Sequence, residues 1–221
     1  MKRGKLSEPQ GLWLVDKPYK KSSFWAVYLL RKLTGIKKIG HAGTLDPLAT
    51  GLLLLLVGKE FTRQADSLLK QDKEYSLEIT LGETSTTDDL EGERTVISDR
   101  HPTREQVELA IAGLTGEILQ TPPIYSAMKV GGKRAYKLAR EGAEVALTPR
   151  PVTVYEWLDI SYDYPIITAT VRVSSGTYIR SLARDLGQQL RTGAYLSALR
   201  RTKIGEYDVR DAVALENILP I

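Results

Sequence analysis

Six consecutive aliphatic residues, Leu52-Leu53-Leu54-Leu55-Leu56-Val57, form the longest aliphatic run in the chain and constrain its fold more than any other feature. The run is far shorter than the ~18 residues a membrane span requires. It is apolar at odd and even positions alike, which predicts a central strand buried on both faces. The remaining elements must cover that strand. A 221-residue chain with 42% hydrophobic and 26% charged residues has the material to do so, without disulfides or a structural metal. Cysteine is absent, which excludes thiolate zinc sites, iron–sulfur clusters and cysteine nucleophiles. The two histidines, His41 and His101, lie sixty residues apart, so no histidine-rich metal site is expected. No apolar segment follows Met-Lys-Arg-Gly-Lys at the N-terminus. The expectation is a cytoplasmic protein with no signal peptide and no membrane partner.

Around the central run, helical and strand patterns interleave irregularly. Residues 11–15 read as a short strand leading into Asp16-Lys17-Pro18. Ser22 or Ser23 can cap a helix with Trp25, Leu29 and Leu33 on one face, stopped by Thr34-Gly35. A further helix is expected from the end of the central run to about Leu69. Tyr75, Leu77, Ile79 and Leu81 alternate with polar residues, as in a strand. Thr103-Arg104-Glu105-Gln106 is a capping box, and Val107, Ala110, Ile111 and Leu114 supply its helix with an apolar stripe. A basic helix is expected over 133–141. Residues 152–160 and 166–174 read as paired strands. Ile179, Leu182, Ala183, Leu186 and Leu190 mark an amphipathic helix. A strand near 196–199 and a short terminal helix complete the chain. With no linker or repeat, the expectation is one α+β domain over 1–221 with mixed, mostly antiparallel strands.

Net charge is +4, from 31 basic and 27 acidic residues, but its distribution is uneven. Seven basic residues and no acid lie between Lys17 and Leu45, and six basic residues against Glu141 and Glu144 lie between Lys129 and Arg150. Residues 83–93 carry five acids and no base. This segregation suits a polyanion held on one face, with an acidic loop elsewhere; a patchy solvated surface gives the same pattern. No P-loop, Gly-x-Gly-x-x-Gly loop or Gly-x-Ser-x-Gly elbow is present. Carboxylate, tyrosine, arginine and lysine remain for chemistry.

The most unusual segment is Gly40-His41-Ala42-Gly43-Thr44-Leu45-Asp46-Pro47-Leu48-Ala49-Thr50-Gly51. Pro47 drives Asp46 to an extended backbone, and the glycines let a bulky group approach. Asp46 can serve as a nucleophile at a rigid turn or as a turn aspartate bonded to its own loop. Ser174-Ser175-Gly176-Thr177 forms a turn able to cap a helix whose first turn carries Tyr178 and Arg180. A guanidinium there could fix a buried carboxylate and keep it ionised. Arg184, one turn on, reads as a partner of solvent or Asp185. Tyr75 sits among charges at its strand start, facing either a cleft or the core.

Together these segments resemble the TruB-type tRNA pseudouridine synthases. The likeness rests on Gly11 through Pro18, the His41 to Gly51 run, Asp72-Lys73-Glu74-Tyr75, Pro122-Pro123-Ile124-Tyr125-Ser126-Ala127-Met128-Lys129, and the stretches 174–187 and 196–205. They fall in family order across almost the whole chain. The resemblance implies a mixed, mostly antiparallel central sheet with flanking helices and a thumb-like insertion at about 122–150. It implies isomerisation of the T-loop uridine of tRNA, position 55 in tRNA convention, after base flipping. It assigns catalysis to Asp46, Tyr75 and Arg180, and substrate binding to Lys17, His41, Leu199, Lys129 and Tyr178. Asp46 is the nucleophile, Arg180 its partner and Tyr75 the ring over the target base. Leu199 lines the pocket, His41 fills the space left by the flipped nucleotide, and Lys17 supports the site. The tRNA T-arm is the implied partner of a monomer that needs no cofactor, metal or guide RNA. Family members usually continue into a C-terminal PUA-like RNA-binding domain, which this chain is expected to lack. A guide-RNA-dependent synthase subunit and a tRNA-folding chaperone are the competing readings.

Overall fold

The computed structural model describes residues 4–126, 128–130, 132–134 and 147–218. The chain divides into two compact units, Met1–Ser76 with Leu199–Ile221, and Leu77–Ala198. From the N-terminus the first unit holds β1 (Gly11–Lys17), α1 (Ser23–Thr34), β2 (Ile39–Ala42), β3 (Thr50–Val57), α2 (Lys59–Thr62), α3 (Ala65–Leu69) and the start of β4 (Lys73–Leu81). The second holds the rest of β4, β5 (Glu83–Ser85), β6 (Arg94–Val96), α4 (Arg104–Gly113), β7 (Gly116–Gln120), β8 (Lys129–Val130), β9 (Lys133–Arg134), β10 (Arg150–Asp163), β11 (Ile166–Val173), α5 (Ile179–Leu190) and the start of β12 (Ala194–Ile204). The end of β12, β13 (Tyr207–Asp208) and two 3₁₀ turns, Val209–Asp211 and Leu215–Ile218, return to the first unit.

In the first unit the apolar run is the buried strand its pattern predicts: Leu52 through Val57 are all 0% exposed. β3 pairs antiparallel with β1 from Gly11↔Val57 to Lys17↔Gly51 and with β2 from Ile39↔Val57 to Ala42↔Leu54. It meets β12 in parallel at Arg200↔Thr50 and Arg201↔Gly51. Leu12, Leu14, Leu52, Leu54, Leu56, Phe61, Leu68 and Ile204 pack as its core. α1 begins at Ser22, whose hydroxyl accepts the Trp25 N–H, and ends at left-handed Gly35. Its buried stripe is Ala26, Val27, Leu29 and Leu30 with Ser23, whereas the expected Trp25 and Leu33 are half-buried. Ser23 is bonded to Leu45, and this turns the helix toward that stripe. The expected single helix to Leu69 is broken into α2 and α3, because Gln64 leaves helical geometry at φ −91°, ψ 2°.

In the second unit β10 pairs antiparallel with β11 and with β7; β10 runs beyond the expected 152–160, bulging twice against β11. Both halves of the Thr103–Gln106 capping box form, and Val107, Ala110, Ile111 and Leu114 are buried as the stripe requires. α5 starts differently from expectation. Its N-cap is Tyr178, with no side-chain cap, because Thr177 donates back to Ser174 O at 2.9 Å. Gln120 fills the gap, accepting from Tyr178 N–H at 2.8 Å and donating to its carbonyl at 3.1 Å. β12 is longer than the expected 196–199 strand, and 3₁₀ turns replace the terminal helix. Lys133 and Arg134 form strand β9 rather than the start of a basic helix. The rest of that helix, and residues 127, 131 and 135–146 of the insertion, lie outside the described residues. The fold is α+β with mostly antiparallel sheet. Among the described residues no helix is long and apolar enough to cross a membrane.

Candidate active site

Asp46 lies half-buried in the turn between β2 and β3, and the first unit fastens that turn at every side. Ser23 Oγ donates to Leu45 O at 3.0 Å and accepts the Leu45 N–H at 2.9 Å. Ala49 N–H closes on Asp46 O at 3.1 Å, and Lys20 N–H reaches Pro47 O at 2.9 Å. Lys17 is completely buried. Its Nζ donates to Pro18 O at 3.0 Å, Lys21 O at 2.6 Å and Pro47 O at 3.4 Å. The side chain therefore positions the residue after Asp46 from within the protein.

The far end of the turn rests on a residue the sequence did not single out. Arg201 is 1% exposed. Its Nε donates to Leu52 O at 2.7 Å and its Nη2 to Gly43 O at 3.0 Å, so one guanidinium joins both flanks of the turn. Such charge-assisted bonds rank among the stronger ones in a protein. Burial and the Arg201 charge hold the His41 imidazole below its usual range. His41 is half-buried, and its Nδ1 is enclosed without a hydrogen-bond partner. Burial first, and Arg201 second, lower Lys73 to about 8. Tyr75 is 7% exposed on β4, and Leu199 is half-buried on β12 with its carbonyl 3.5 Å from the Thr50 hydroxyl. Nearby, Asp16 receives both Nη atoms of Arg200, at 3.0 and 2.7 Å.

In the second unit Arg180 stands in the first turn of α5, 7% exposed. It donates to Thr87 O at 3.1 Å and Tyr125 O at 3.0 Å, and pairs with Asp89 Oδ2 at 3.5 Å. Arg184 donates to Asp88 Oδ2 at 2.9 Å, Thr121 O at 2.8 Å and Asp185 Oδ1 at 3.0 Å, a far larger role than the solvent or Asp185 partnership expected. Ser181 Oγ adds a bond to Thr121 O at 2.9 Å. One face of α5 thus holds both the acidic segment and the root of the insertion. Residues 83–93 are consequently not merely a solvated loop: Asp89 is 2% exposed. Burial pushes the Asp88 and Asp185 carboxyls up while Arg184 pulls them down. Tyr178 is half-buried at the N-cap, and Lys129 opens β8.

Arg201, Asp89, the tie of Ser23 to Leu45 and the reach of Arg184 escaped sequence reasoning. An arginine within Arg200-Arg201 carries no local mark of burial, and Asp89 is one acid among five. The capping position next to Ser22 was the only sequence signal for Ser23.

The model of the TruB family pseudouridylate synthase N-terminal domain matches residues 31–179, and that of the tRNA pseudouridylate synthase B C-terminal domain matches 180–220. The chain belongs to the TruB family of pseudouridylate synthases. A tRNA pseudouridine synthase B of Protochlamydia amoebophila is 46% identical over 213 residues, covering 96% of this chain and 79% of the relative. One from Chlamydia felis is 44% identical over 205 residues, covering 92% and 86%. A solved Cbf5-Nop10-Gar1 complex contains a chain of 28% identity that superposes with a TM-score of 0.71 over 93% of this chain. This chain spans about half, 52%, of that solved chain.

Proposed function

We propose that the protein isomerises the T-loop uridine of tRNA, position 55 in tRNA convention, to pseudouridine, with Asp46 as nucleophile. The observation that carries this reading is the Asp46 turn, a half-buried carboxylate whose backbone is fixed by Ser23, Lys17 and Arg201. Fixing the carboxylate before substrate arrives converts a bimolecular encounter into an oriented one. In the reaction the C1′–N1 bond breaks, uracil turns, and a C1′–C5 bond forms. C5 gives up its proton and N1 gains one. Nothing is oxidised and no group is lost, so the overall change balances without a redox partner or nucleotide. Asp46 attacks at C1′ or at the uracil ring. Tyr75 stacks on the everted base and, in its ionised form, accepts the C5 proton. Arg180 braces the carboxylate. Extruding the base costs a few kcal/mol, offset by phosphate contacts from the basic residues near 17–38 and the insertion. The resemblance of 92–96% of the chain to curated tRNA pseudouridine synthases B at 44–46% identity supports tRNA over other RNAs.

The test is to map pseudouridine in an unmodified tRNA transcript treated with wild type and Asp46→Asn, without metal, nucleotide or guide RNA. The expected result is one modified T-loop uridine with wild type, and none with Asp46→Asn although tRNA affinity stays within a few-fold. Substantial turnover by Asp46→Asn removes that residue from its role. Turnover that requires a guide RNA moves the protein to the guide-dependent class.

A further inference from the structure

The solvent side of α1 is not the polar face that an amphipathic surface helix ordinarily presents. Phe24 is 64% exposed and Tyr28 is 48% exposed, one helical turn apart. Each ring lies near a cation farther along the helix, two turns on for Phe24 and one turn on for Tyr28. The Arg31 guanidinium is 6.0 Å from the Phe24 centroid, and the Lys32 ammonium is 5.0 Å from that of Tyr28. Just before the helix, Lys20 lies 5.4 Å from the Tyr19 ring, which is 49% exposed. At 100° per residue, positions 24, 28, 31 and 32 occupy a single arc of the helix of about 100°. The opposite arc carries the buried stripe. No acid occurs between Lys17 and Leu45. The face thus combines exposed ring surface with uncontested positive charge.

We infer that this aromatic–basic face of α1 is a stacking platform for unpaired nucleotides of the RNA strand flanking the target base. The inference rests on the proposed function for the identity of the strand. Two features select RNA as the occupant. The first is charge: phosphates complement the cations, while π-faced bases match the exposed rings, which is the design of single-strand binding surfaces. The second is continuity with the Asp46 turn in the same unit. Lys20, at φ 63°, gives its backbone N–H to Pro47 O at 2.9 Å. Ser23, the first residue of α1, is bonded to Leu45. A strand presenting one base to Asp46 therefore has Tyr19, Lys20 and Phe24 immediately alongside. The ring–cation pairs hold the platform in place before RNA arrives, which reduces the ordering cost of binding.

The experiment is an equilibrium titration of a 5′-labelled unmodified tRNA transcript, repeated over a series of salt concentrations. Phe24→Ala/Tyr28→Ala removes two largely exposed rings and leaves the buried stripe intact. It is expected to weaken RNA binding by about fivefold or more for each ring. The slope of affinity against salt and the single-turnover rate at saturating enzyme should both stay at wild-type values. Phe24→Trp should retain affinity and Phe24→Leu should not, since stacking needs a π-face and general apolar contact does not. Lys20→Gln should instead flatten the salt slope by about 0.7 if that lysine meets one phosphate of a single strand. RNA affinity within twofold of wild type in the double alanine variant overturns the inference. So does a change confined to the binding of phosphatidylserine vesicles. If wild type forms no pseudouridine but the ring variants still lose RNA affinity, the platform stands and the proposed reaction falls.

Discussion

Replacing Gly51, inside β3, with alanine should destabilise the protein more than the same change at Gly35, just past α1. A Cβ at Gly51 would lie 2.3 Å from the Arg201 carbonyl oxygen, 2.9 Å from its nitrogen and 3.0 Å from its carbonyl carbon. All three are backbone atoms of the paired strand, so no side-chain rotation relieves the clash. Gly51 also sits at φ +96°, a conformation that costs a residue with a Cβ about 1–2 kcal/mol. Separating β3 from β12 to admit the methyl adds an overpacking cost of about 1–3 kcal/mol. The sum is roughly 2–5 kcal/mol. Gly35 is the control: it has φ +71° and nothing within 4 Å of its built Cβ. Gly35→Ala should carry only the conformational part, about 1–2 kcal/mol. Urea denaturation followed by tryptophan fluorescence gives both values, provided the slope m is unchanged between variants. The difference between the two isolates the steric cost. If Gly51→Ala is no more destabilising than Gly35→Ala, the close approach of the parallel strands is not what demands glycine there.

Lys73, lowered to about 8 against 10.5 for an ordinary lysine, should titrate well before the surface lysines. This can be followed by ¹³C NMR of reductively methylated protein. Between those two values the unfolded chain binds more protons than the folded one, so this lysine makes stability rise with pH across that window. Arg201→Met should move the Lys73 titration part of the way back up, because burial is the larger cause and remains. It should raise His41 as well. An unmoved Lys73 in that variant would refute the electrostatic role given to Arg201. Arg180→Lys keeps the charge but cannot span Thr87 O and Tyr125 O with a planar fork. Turnover on tRNA should fall by orders of magnitude, with a loss of about 1–3 kcal/mol in stability for the charged hydrogen bond given up. Wild-type turnover would make Arg180 a structural tether only.

Periodic features were legible in the sequence because burial on one face leaves a regular mark. The 52–57 run, the alternation of β4 and the capping box of α4 all appear where their patterns predict. Errors arose where tertiary contacts override local preference. Ser23 bonds to a residue 22 positions away and sets which stripe of α1 is buried. Gln120 replaces the expected cap of α5 from 58 residues away. The sequence singled out the Asp46 turn because glycine and proline announce unusual backbone. It could not identify Arg201, whose role depends on carbonyls 149 and 158 residues distant.

Those carbonyl partners also explain the charge character of the first unit. A carboxylate partner neutralises a cation as it bonds it, whereas a carbonyl satisfies the donors and leaves the net charge in place. Exposed cations here take the first kind of partner: Arg200 pairs with Asp16, Lys203 with Glu74 and Arg210 with Asp208. Arg201 takes the second kind, and among the described residues it forms no ion pair. Its charge therefore persists in a medium where Coulomb interactions are stronger than in water. The Arg201 charge is the second cause, after burial, of the lowered values of His41 and Lys73. Lys17 and Lys73 likewise direct Nζ hydrogen bonds to carbonyls. Lys17 and Arg201 hold the Asp46 turn rigid through these carbonyls. The Arg201 guanidinium that fixes the flanks of the carboxylate's turn thus also contributes positive charge beside it, which favours a phosphodiester chain.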